Sequence, residues 1–286
     1  MRVTLLTLGS PEGKSVWAVA KFLRCFLGNP HVLRVPAIAR WLLVNCVIVP
    51  FYSWSSAKRY RRVWCEQENC SLQISKTRAL VKALRERLPN CEVDFETLAG
   101  TQIHQNSKTK NSPLSTLHSP LFIPLFPHFA ESSFGALAGT RKNVIAPFGS
   151  HPAFIEALVK HFKKHVPAPR VVVLSFHSVP ASVPEASRYE RDCYETATLF
   201  AIAAGLPQTA VRVGFQSKFG PKKWLVPATK SLVASAPAGT VLLPAGFICD
   251  CIETVVELGD LVAGTPVKLL PCLNENAAEM LAKITA

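Results

Sequence analysis

An uninterrupted apolar run leads to a histidine in the segment Arg170-Val171-Val172-Val173-Leu174-Ser175-Phe176-His177. The run is rich in β-branched residues, which favour strands, and it lacks alternating polar positions. Strands of this kind are buried on both faces, as in a parallel sheet covered by helices. The segment therefore predicts a parallel sheet with His177 at the carboxyl end of a strand, where ligands bind in such folds.

Strand and helix patterns alternate on both sides of this segment. Before it, we predict strands at 1–9, 92–98 and 121–126, and helices at 16–27, 57–64, 76–88 and 151–165. After it, we predict strands at 210–215, 240–243 and 267–270, and helices at 189–204, 226–234, 250–258 and 276–284. This alternation indicates an α/β fold. The polar, aperiodic segment 101–118 is predicted to be a loop.

The composition suits a protein with a substantial core. The chain has 286 residues, of which 49% are hydrophobic and 18% charged. That length fits one large domain or two smaller ones, and the composition argues against disorder. The net charge of +13 attracts polyanions, which leaves nucleic acid, anionic lipid and a carboxylate-bearing small molecule as partners. Nucleic acid is the weakest of the three, because no signature of a nucleic-acid-binding motif accompanies the charge.

Cysteine usage and the N-terminus bear on the cellular compartment. The nine cysteines are odd in number and irregularly spaced, which does not suggest a disulfide framework. We interpret them as small apolar residues that stay reduced in a cytosol. The N-terminus lacks the long apolar region and the cleavage site of a signal peptide. We therefore expect a cytoplasmic protein, with association with a membrane as a possible addition.

One apolar stretch, residues 35–52, calls for a membrane test. It contains Pro36, Arg40, Asn45 and Pro50, and its longest uncharged apolar piece is about half the length that spans a bilayer. The sequence therefore does not predict a transmembrane helix here. An ordinary core helix is the favoured interpretation. The alternative is an interfacial lip beside basic residues that contacts a membrane reversibly.

Several common signatures are absent from the sequence. We find no dinucleotide-binding glycine turn, P-loop, nucleophile elbow or paired-histidine zinc motif. The sequence therefore does not indicate nucleotide binding, hydride transfer or serine-hydrolase chemistry. The motif Ser175-Phe176-His177-Ser178-Val179-Pro180 places an imidazole at the mouth of a strand, where it can accept protons near neutral pH or bind a metal. A single histidine is more often structural, so this motif alone carries little weight.

A second motif combines polar donors with aromatic rings. It reads Phe215-Gln216-Ser217-Lys218-Phe219-Gly220-Pro221-Lys222-Lys223-Trp224-Leu225-Val226-Pro227. A basic surface loop would explain the lysines. An aromatic plane next to cations also suits a flat anionic ligand, which is the alternative interpretation.

A third motif is rich in carboxylates. It reads Pro244-Ala245-Gly246-Phe247-Ile248-Cys249-Asp250-Cys251-Ile252-Glu253-Thr254-Val255-Val256-Glu257. The spacing of Asp250, Glu253 and Glu257 places them on one face of a predicted helix. Three carboxylates on one face repel each other unless they bind cations or protons. A solvated helix face, with acids favoured at the helix N-terminus, is the alternative.

Together these motifs resemble the ferrochelatase family in order and spacing. The family pattern has Ser-x-His-x-x-Pro, then Gln-Ser-Lys/Arg-x-Gly-x-x-x-Trp-Leu-x-Pro, then Pro-x-Gly/Ser-Phe-x-x-Asp-x-x-Glu-Thr. Further matches occur at 8–11, 26–32, 60–64, 124–129 and 271–274, so the resemblance covers most of the chain. It implies an α/β fold of two similar Rossmann-like halves, each a mainly parallel sheet flanked by helices, with the porphyrin in the cleft between them. The implied halves are 1–145, completed by a C-terminal helix at 275–286, and 146–274.

The resemblance also implies roles for individual residues. His177 matches the family's catalytic histidine, and Glu253 matches the carboxylate that faces it across the macrocycle. Both are expected to meet the metal. Glu257 matches a further acid of a polar relay, to which we also assign Asp250. The expected contacts with the porphyrin are Trp224, Phe247, Ser217 and Lys218.

The implied chemistry is the insertion of Fe²⁺ into protoporphyrin IX to form haem, with release of two protons. A base of near-neutral pKa serves the deprotonation, and carboxylates suit a hard, transient divalent ion. Iron is a substrate here, and we expect no required cofactor and no iron–sulfur cluster. We expect a monomer that binds porphyrin and ferrous iron and no nucleic acid, with peripheral membrane contact as an option.

The chain departs from the family pattern in three places. Cys251 stands where many members have histidine, and Asn69-Cys70-Ser71-Leu72 replaces a Gly-Ser-Pro-Leu segment. A family Arg-Tyr segment in the first half is not recognisable near 95–100. These departures support a second hypothesis, a catalytically weakened porphyrin- or haem-binding protein. A third hypothesis, a basic membrane- or nucleic-acid-binding protein, rests on charge alone.

Overall fold

The computed structural model of the protein describes residues 1–100, 120–166 and 171–285. The segment 101–118, predicted to be a loop, therefore lies outside the described residues. The chain divides into two compact units. The first comprises Met1–Leu125 and Glu131–Ala146, and the second comprises Phe126–Ala130 and Pro147–Ala286.

A three-stranded parallel sheet organises the first unit. In chain order the elements of this unit are β1 (Arg2–Ser10), α1 (Val16–Gly28), α2 (Ala37–Leu42), α3 (Val49–Arg62), β2 (Trp64–Cys65), β3 (Cys70–Ser71), α4 (Leu72–Arg87), β4 (Glu92–Gly100), β5 (Leu121–Pro124) and α5 (Ala136–Ala138). The sheet order is β4-β1-β5, and both pairings are parallel. The apolar side chains of β1 are buried in the centre of this sheet, which explains its continuous hydrophobic run.

One long helix of the first unit differs from its prediction. A π-helical turn at Leu43–Ile48 joins α2 to α3, so the helix runs without a break over Ala37–Arg62. Pro50 has no N–H to contribute, which explains a widened turn just before it. By length and composition the helix could cross a membrane, a test that core helices and signal sequences also pass. Only 22% of its most apolar window is buried, so the interpretation as an ordinary core helix is wrong for most of its surface.

A four-stranded parallel sheet organises the second unit. Its elements are α6 (Pro152–His165), β6 (Val171–His177), α7 (Ala186–Ala204), β7 (Val211–Gln216), α8 (Thr229–Ala234), β8 (Thr240–Leu243), α9 (Leu258–Val262), β9 (Lys268–Leu269) and α10 (Ala278–Thr285). The order is β7-β6-β8-β9, with every pairing parallel. The predicted α/β class with mainly parallel sheets flanked by helices is confirmed.

The C-terminal helix lies elsewhere than expected. The sequence analysis assigned residues 275–286 to the first half, whereas α10 packs on α6 in the second unit. Met280 and Leu281 are buried, and Lys283 Nζ lies 2.8 Å from Glu156 Oε2 of α6. An apolar face and an ion pair therefore hold α10 in the second unit.

Candidate active site

His177 ends β6 and has a fixed orientation. Its Nδ1 lies 2.6 Å from the carbonyl oxygen of Ser178. A carbonyl oxygen only accepts, so Nδ1 carries a proton, which leaves Nε2 as the ring nitrogen that can act as a base. The hydroxyl of Tyr189 donates to the carbonyl oxygen of His177 at 2.7 Å, which fixes the backbone behind the ring.

A glycine lets the neighbouring loop approach this strand end. Gly246 follows β8, and its N–H donates to the Ser175 carbonyl at 3.1 Å. A Cβ at this position would lie 3.1 Å from Cα of Phe176, so a side chain would push the loop away. The next residue, Phe247, is buried, and its ring centroid lies 6.4 Å from that of His177. Gly246 therefore sets the distance between the histidine and this aromatic ring.

Glu253 and Glu257 begin and end a π-helical turn, Glu253–Glu257, that precedes α9. Both side chains are half-buried. The N–H of Ser217 donates to Glu257 Oε1 at 2.8 Å, and its hydroxyl donates to Oε2 at 2.9 Å. These two bonds fix the second carboxylate of the turn to the end of β7.

Ser217 adopts a backbone conformation that is unusual for a residue with a side chain. Its φ is +66°, in the left-handed region that favours glycine. Its N–H and hydroxyl both point at one carboxylate in this conformation. Ser217 was predicted to contact the porphyrin, and in the structure both of its donors are engaged with Glu257.

Gln216 connects these elements, and the sequence analysis gave it no role of its own. It is 4% exposed. Its Oε1 accepts from Ser175 Oγ at 2.5 Å, and its Nε2 donates to the backbone oxygen of Glu253 at 3.4 Å. Ser175 Oγ also lies 3.0 Å from Thr229 Oγ1. The sequence placed an amide in the second motif but could not show that it joins β6 to the acidic turn.

Asp250 has a different environment from the two glutamates. It precedes the helix, which begins at Ile252, so the prediction that all three acids share one helix face is wrong. Asp250 Oδ1 accepts from the N–H of Cys272 at 2.9 Å, and Oδ2 accepts from Asn274 Nδ2 at 2.7 Å. This buried carboxylate therefore ties its loop to the segment after β9, and its assignment to the relay stays a prediction.

Trp224 and Lys218, an aromatic and a basic candidate, lie in the loop that follows the carboxyl end of β7, next to the end of β6. An isolated antiparallel bridge pairs Trp224 with Pro180, which lies in the loop after β6. The ring of Trp224 is partly exposed, while Lys218 is exposed. The buried atoms Trp224 Nε1 and Ser178 Oγ have no hydrogen-bond partner among the described residues. Their donor capacity is thus not used by the described residues.

A buried histidine, His128, packs against β6 and is not a candidate base. Burial lowers the pKa of His128 to about 3. Its Nε2 lies 2.7 Å from Thr196 Oγ1, and its ring centroid lies 5.0 Å from that of Phe176. His128 is therefore a neutral packing residue beneath β6.

The site does not offer a closed metal cage. In the parts of the chain that the structure describes, no group of three or more His, Cys, Asp or Glu side chains is arranged to hold a metal. His177 carries a nitrogen and Glu253 a carboxylate of the types that suit a transient divalent ion, and their assignment to the metal stays a prediction.

Comparison with known proteins identifies the family. The sequence profile of the family described as Ferrochelatase matches residues 2–285. The chain belongs to the ferrochelatase family. It is 29% identical over 305 residues to the ferrochelatase of Brucella anthropi, covering 96% of this chain and 87% of the relative. It is 28% identical over 306 residues to the ferrochelatase of Hamiltonella defensa, covering 97% of this chain and 95% of the relative.

A solved structure supports the fold. SirB from Bacillus subtilis with Fe³⁺ superposes with a TM-score of 0.50 at 15% identity, covering 75% of this chain and 89% of that chain. The family profile and the two relatives confirm the resemblance to ferrochelatases seen in the motifs. The protein is a metal chelatase, a lyase of haem and porphyrin biosynthesis, of a family that binds porphyrin and iron.

Proposed function

We propose that this ferrochelatase-family protein inserts Fe²⁺ into protoporphyrin IX, and that His177 and Glu253 carry the reaction. The observation that supports it is the fixed tautomer of His177, whose Nδ1 is bonded to the Ser178 carbonyl at 2.6 Å. The ring then offers Nε2 as a base for the pyrrole N–H groups, which must lose two protons before iron is bound in the macrocycle.

Glu253 is the proposed partner for the metal and for protons. Its side chain is half-buried at the start of the π-helical turn, and Gln216 supports its backbone at 3.4 Å. A carboxylate binds Fe²⁺ weakly enough to release it to the ring. Glu257, held by Ser217, continues the polar path, and we keep Asp250 as a further member of this relay.

The porphyrin contacts are proposed on the loops around His177. The ring centroids of Phe247 and His177 lie 6.4 Å apart. Trp224 is partly exposed and pairs with Pro180, three residues after His177. Aromatic faces suit a flat macrocycle. The exposed Lys218 is a cation suited to a propionate, and Ser217 orients the start of its loop.

We further propose that the enzyme acts as a monomer and needs no resident cofactor or iron–sulfur cluster. Cluster ligation requires thiolates. Burial raises the pKa of the Cys251 and Cys272 thiols well above the usual range. That environment favours protonated thiols of a packed interior.

An anaerobic assay tests the proposal. Purified protein is mixed with Fe²⁺ and protoporphyrin IX, and metalloporphyrin absorbance is followed for the wild type and His177→Ala. We expect turnover by the wild type and a decrease in kcat on the order of 10²–10⁴-fold in the variant. Stoichiometric porphyrin binding without turnover would replace the proposal by a porphyrin-binding protein. A preference for coproporphyrin in the same assay would correct the substrate.

We also propose a contact with a lipid surface through the helix Ala37–Arg62. Its outward face carries large apolar side chains that are at least about one-third exposed, namely Ile38, Trp41, Leu42, Leu43, Val47, Phe51, Tyr52 and Trp54. Basic side chains follow in the last turns, and Lys58 Nζ lies 3.5 Å above the ring of Trp54. Apolar and aromatic residues beside cations suit the interface of an anionic membrane.

Vesicle sedimentation tests this contact. We expect the protein to bind vesicles of phosphatidylcholine with phosphatidylglycerol more strongly than vesicles of phosphatidylcholine alone. Phe51→Ser combined with Trp54→Ser should weaken binding at least tenfold. Ile202→Ser, which removes a side chain 68% exposed on α7, is the matched control and should leave binding unchanged. Equal loss in the control, or no binding by the wild type, would contradict the proposal.

A further inference from the structure

Two cysteines are paired by the backbone register of the short hairpin in the first unit. The antiparallel strands β2 and β3 pair Cys65 directly with Cys70. Directly opposed residues of an antiparallel ladder have Cα atoms about 4.5–5.5 Å apart. Disulfides span Cα separations of about 4.4–6.8 Å. The register therefore brings this pair within disulfide reach without backbone movement, although the spacing of the cysteines in the sequence did not suggest it.

The two thiols differ in access and in their neighbours. Cys65 is partly exposed, whereas Cys70 is buried. The guanidinium Nη1 of Arg78 lies 3.4 Å from Cys70 Sγ, where its charge favours the thiolate. Burial acts in the opposite direction and raises the pKa of Cys70, and the Glu68 carboxylate, 3.8 Å from the same sulfur, adds to that increase. A reagent therefore meets Cys65 first, and Cys70 is placed to respond from within the hairpin.

A hydrogen bond connects the hairpin to the end of β1, the central strand of the three-stranded sheet. Ser71 follows Cys70 and caps α4, with its Oγ accepting from the N–H of Ile74 at 3.4 Å. The same Oγ lies 2.6 Å from Ser10 Oγ, at the carboxyl end of β1. Carboxyl ends of parallel strands are where ligands bind in such sheets. A disulfide at Cys70 would therefore form one residue away from Ser71, whose hydroxyl contacts Ser10 at the carboxyl end of β1.

We propose that Cys65 and Cys70 form a reversible disulfide by exchange with a low-molecular-weight disulfide such as glutathione disulfide. The Cys65 thiolate attacks one sulfur of glutathione disulfide, forms a mixed disulfide and releases one glutathione. The Cys70 thiolate then attacks the Cys65 sulfur, forms the intramolecular bond and releases the second glutathione. The two cysteines are oxidised by two electrons, glutathione disulfide is reduced by two, and both thiol protons leave on glutathione or solvent.

Thiol mapping in a redox buffer tests the pair without iron or porphyrin, so its outcome does not depend on the proposed reaction. The full-length protein is equilibrated anaerobically over a range of glutathione and glutathione disulfide ratios, alkylated, digested and analysed by mass spectrometry. We expect a Cys65–Cys70 linkage that appears with increasing disulfide and disappears with excess glutathione. Persistent mixed disulfide at Cys65 with no internal linkage would overturn the proposal, as would linkage of Cys65 to another cysteine.

Variants distinguish the pair from general thiol reactivity. Cys65→Ser should abolish the linkage, and Cys70→Ser should stop the reaction at the mixed disulfide on Cys65. Cys46→Ser removes an exposed cysteine from another element and should leave the linkage intact. If Cys70→Ser does not fold, Cys65→Ser alone still decides, since its side chain is partly exposed. Retention of an internal disulfide in Cys65→Ser would overturn the assignment.

Discussion

The carboxyl end of the second sheet and the helix Ala37–Arg62 are built in opposite ways. At the sheet end, Gln216 is 4% exposed and bonded to two elements, and Glu257 receives both donors of Ser217. On the helix, Phe51 is 75% exposed and only one face packs in the unit. Catalysis that needs a fixed geometry is favoured where packing and hydrogen bonds hold the side chains in place. A surface for lipid needs exposed area instead of fixed partners.

Glu253→Gln should have the largest effect on the fixed region. The amide keeps the volume but can neither accept a proton nor attract iron as a charge, so kcat should decrease on the order of 10²-fold. Stopped-flow or steady-state formation of metalloporphyrin measures it. Phe51→Ser on the exposed helix is the control, assayed with soluble porphyrin, and should keep kcat. Loss of activity in both variants would contradict the claim that only the carboxyl end of the second sheet is needed for turnover of soluble porphyrin.

Gln216→Ala should destabilise the second unit. It leaves Ser175 Oγ without the 2.5 Å acceptor and removes the support of the Glu253 carbonyl. Ser175 Oγ keeps Thr229 Oγ1 as a partner at 3.0 Å, so the main loss is the buried hydrogen bond to Gln216, and the free energy of unfolding should fall by roughly 1–3 kcal/mol. Urea denaturation measures the change. Phe51→Ser should stay within about 0.5 kcal/mol of the wild type, as exposed positions usually do.

Acid should weaken the fixed region through His128. Its pKa is lowered to about 3 by burial, against roughly 6.5 in an unfolded chain. The stability linked to this residue is therefore complete above pH 6.5 and is lost as the pH falls toward 3. The free energy of unfolding should decrease by about 1.4 kcal/mol per pH unit in this window.

Substitution separates this slope from that of other groups. His128→Gln should flatten the pH dependence between pH 6 and 4 in denaturant titrations. His151→Asn replaces an exposed histidine that caps α6 by another capping residue, and should retain the wild-type slope. A wild-type slope in His128→Gln would show that other residues carry the acid sensitivity.

Ser217→Ala should give the smallest of these effects. It removes the 2.9 Å hydroxyl bond to Glu257 and keeps the 2.8 Å backbone bond, so stability should fall by about 1–2 kcal/mol. Ser217→Gly removes the same hydroxyl but relieves the backbone at φ +66°, and should be the milder of the two. If Ser217→Gly is the more damaging variant, the left-handed backbone is not strained.

The sequence was sufficient for the fold class and for the strand that ends on His177. A continuous β-branched run needs burial on both faces, and β6 has it. The sequence could not predict the π-helical turn at Glu253–Glu257, because a one-residue widening leaves hydrophobic spacing nearly unchanged. The start of the helix at Ile252 leaves Asp250 outside the helix that carries the two glutamates.

Exposure was the other quantity that local patterns could not provide. For the apolar residues at 35–52 the sequence favoured a core helix over an interfacial lip, because hydropathy does not say which partner covers a face. The pairing of Cys65 with Cys70 depends on the register of a turn of residues 66–69, and the role of Gln216 depends on contacts 37 and 41 residues away in sequence. Both are properties of the folded chain.

The hydrogen bond from His177 Nδ1 to the Ser178 carbonyl limits the number of protons that the imidazole can accept at one time. A ring with one nitrogen committed has a single acceptor, yet each metallated porphyrin releases two protons. In the proposed reaction Nε2 therefore takes one proton at a time, and the second proton goes to Glu253 or waits until the first has left the imidazole. Turnover would then be sensitive to buffer concentration and to deuterated water even when the metal is saturating.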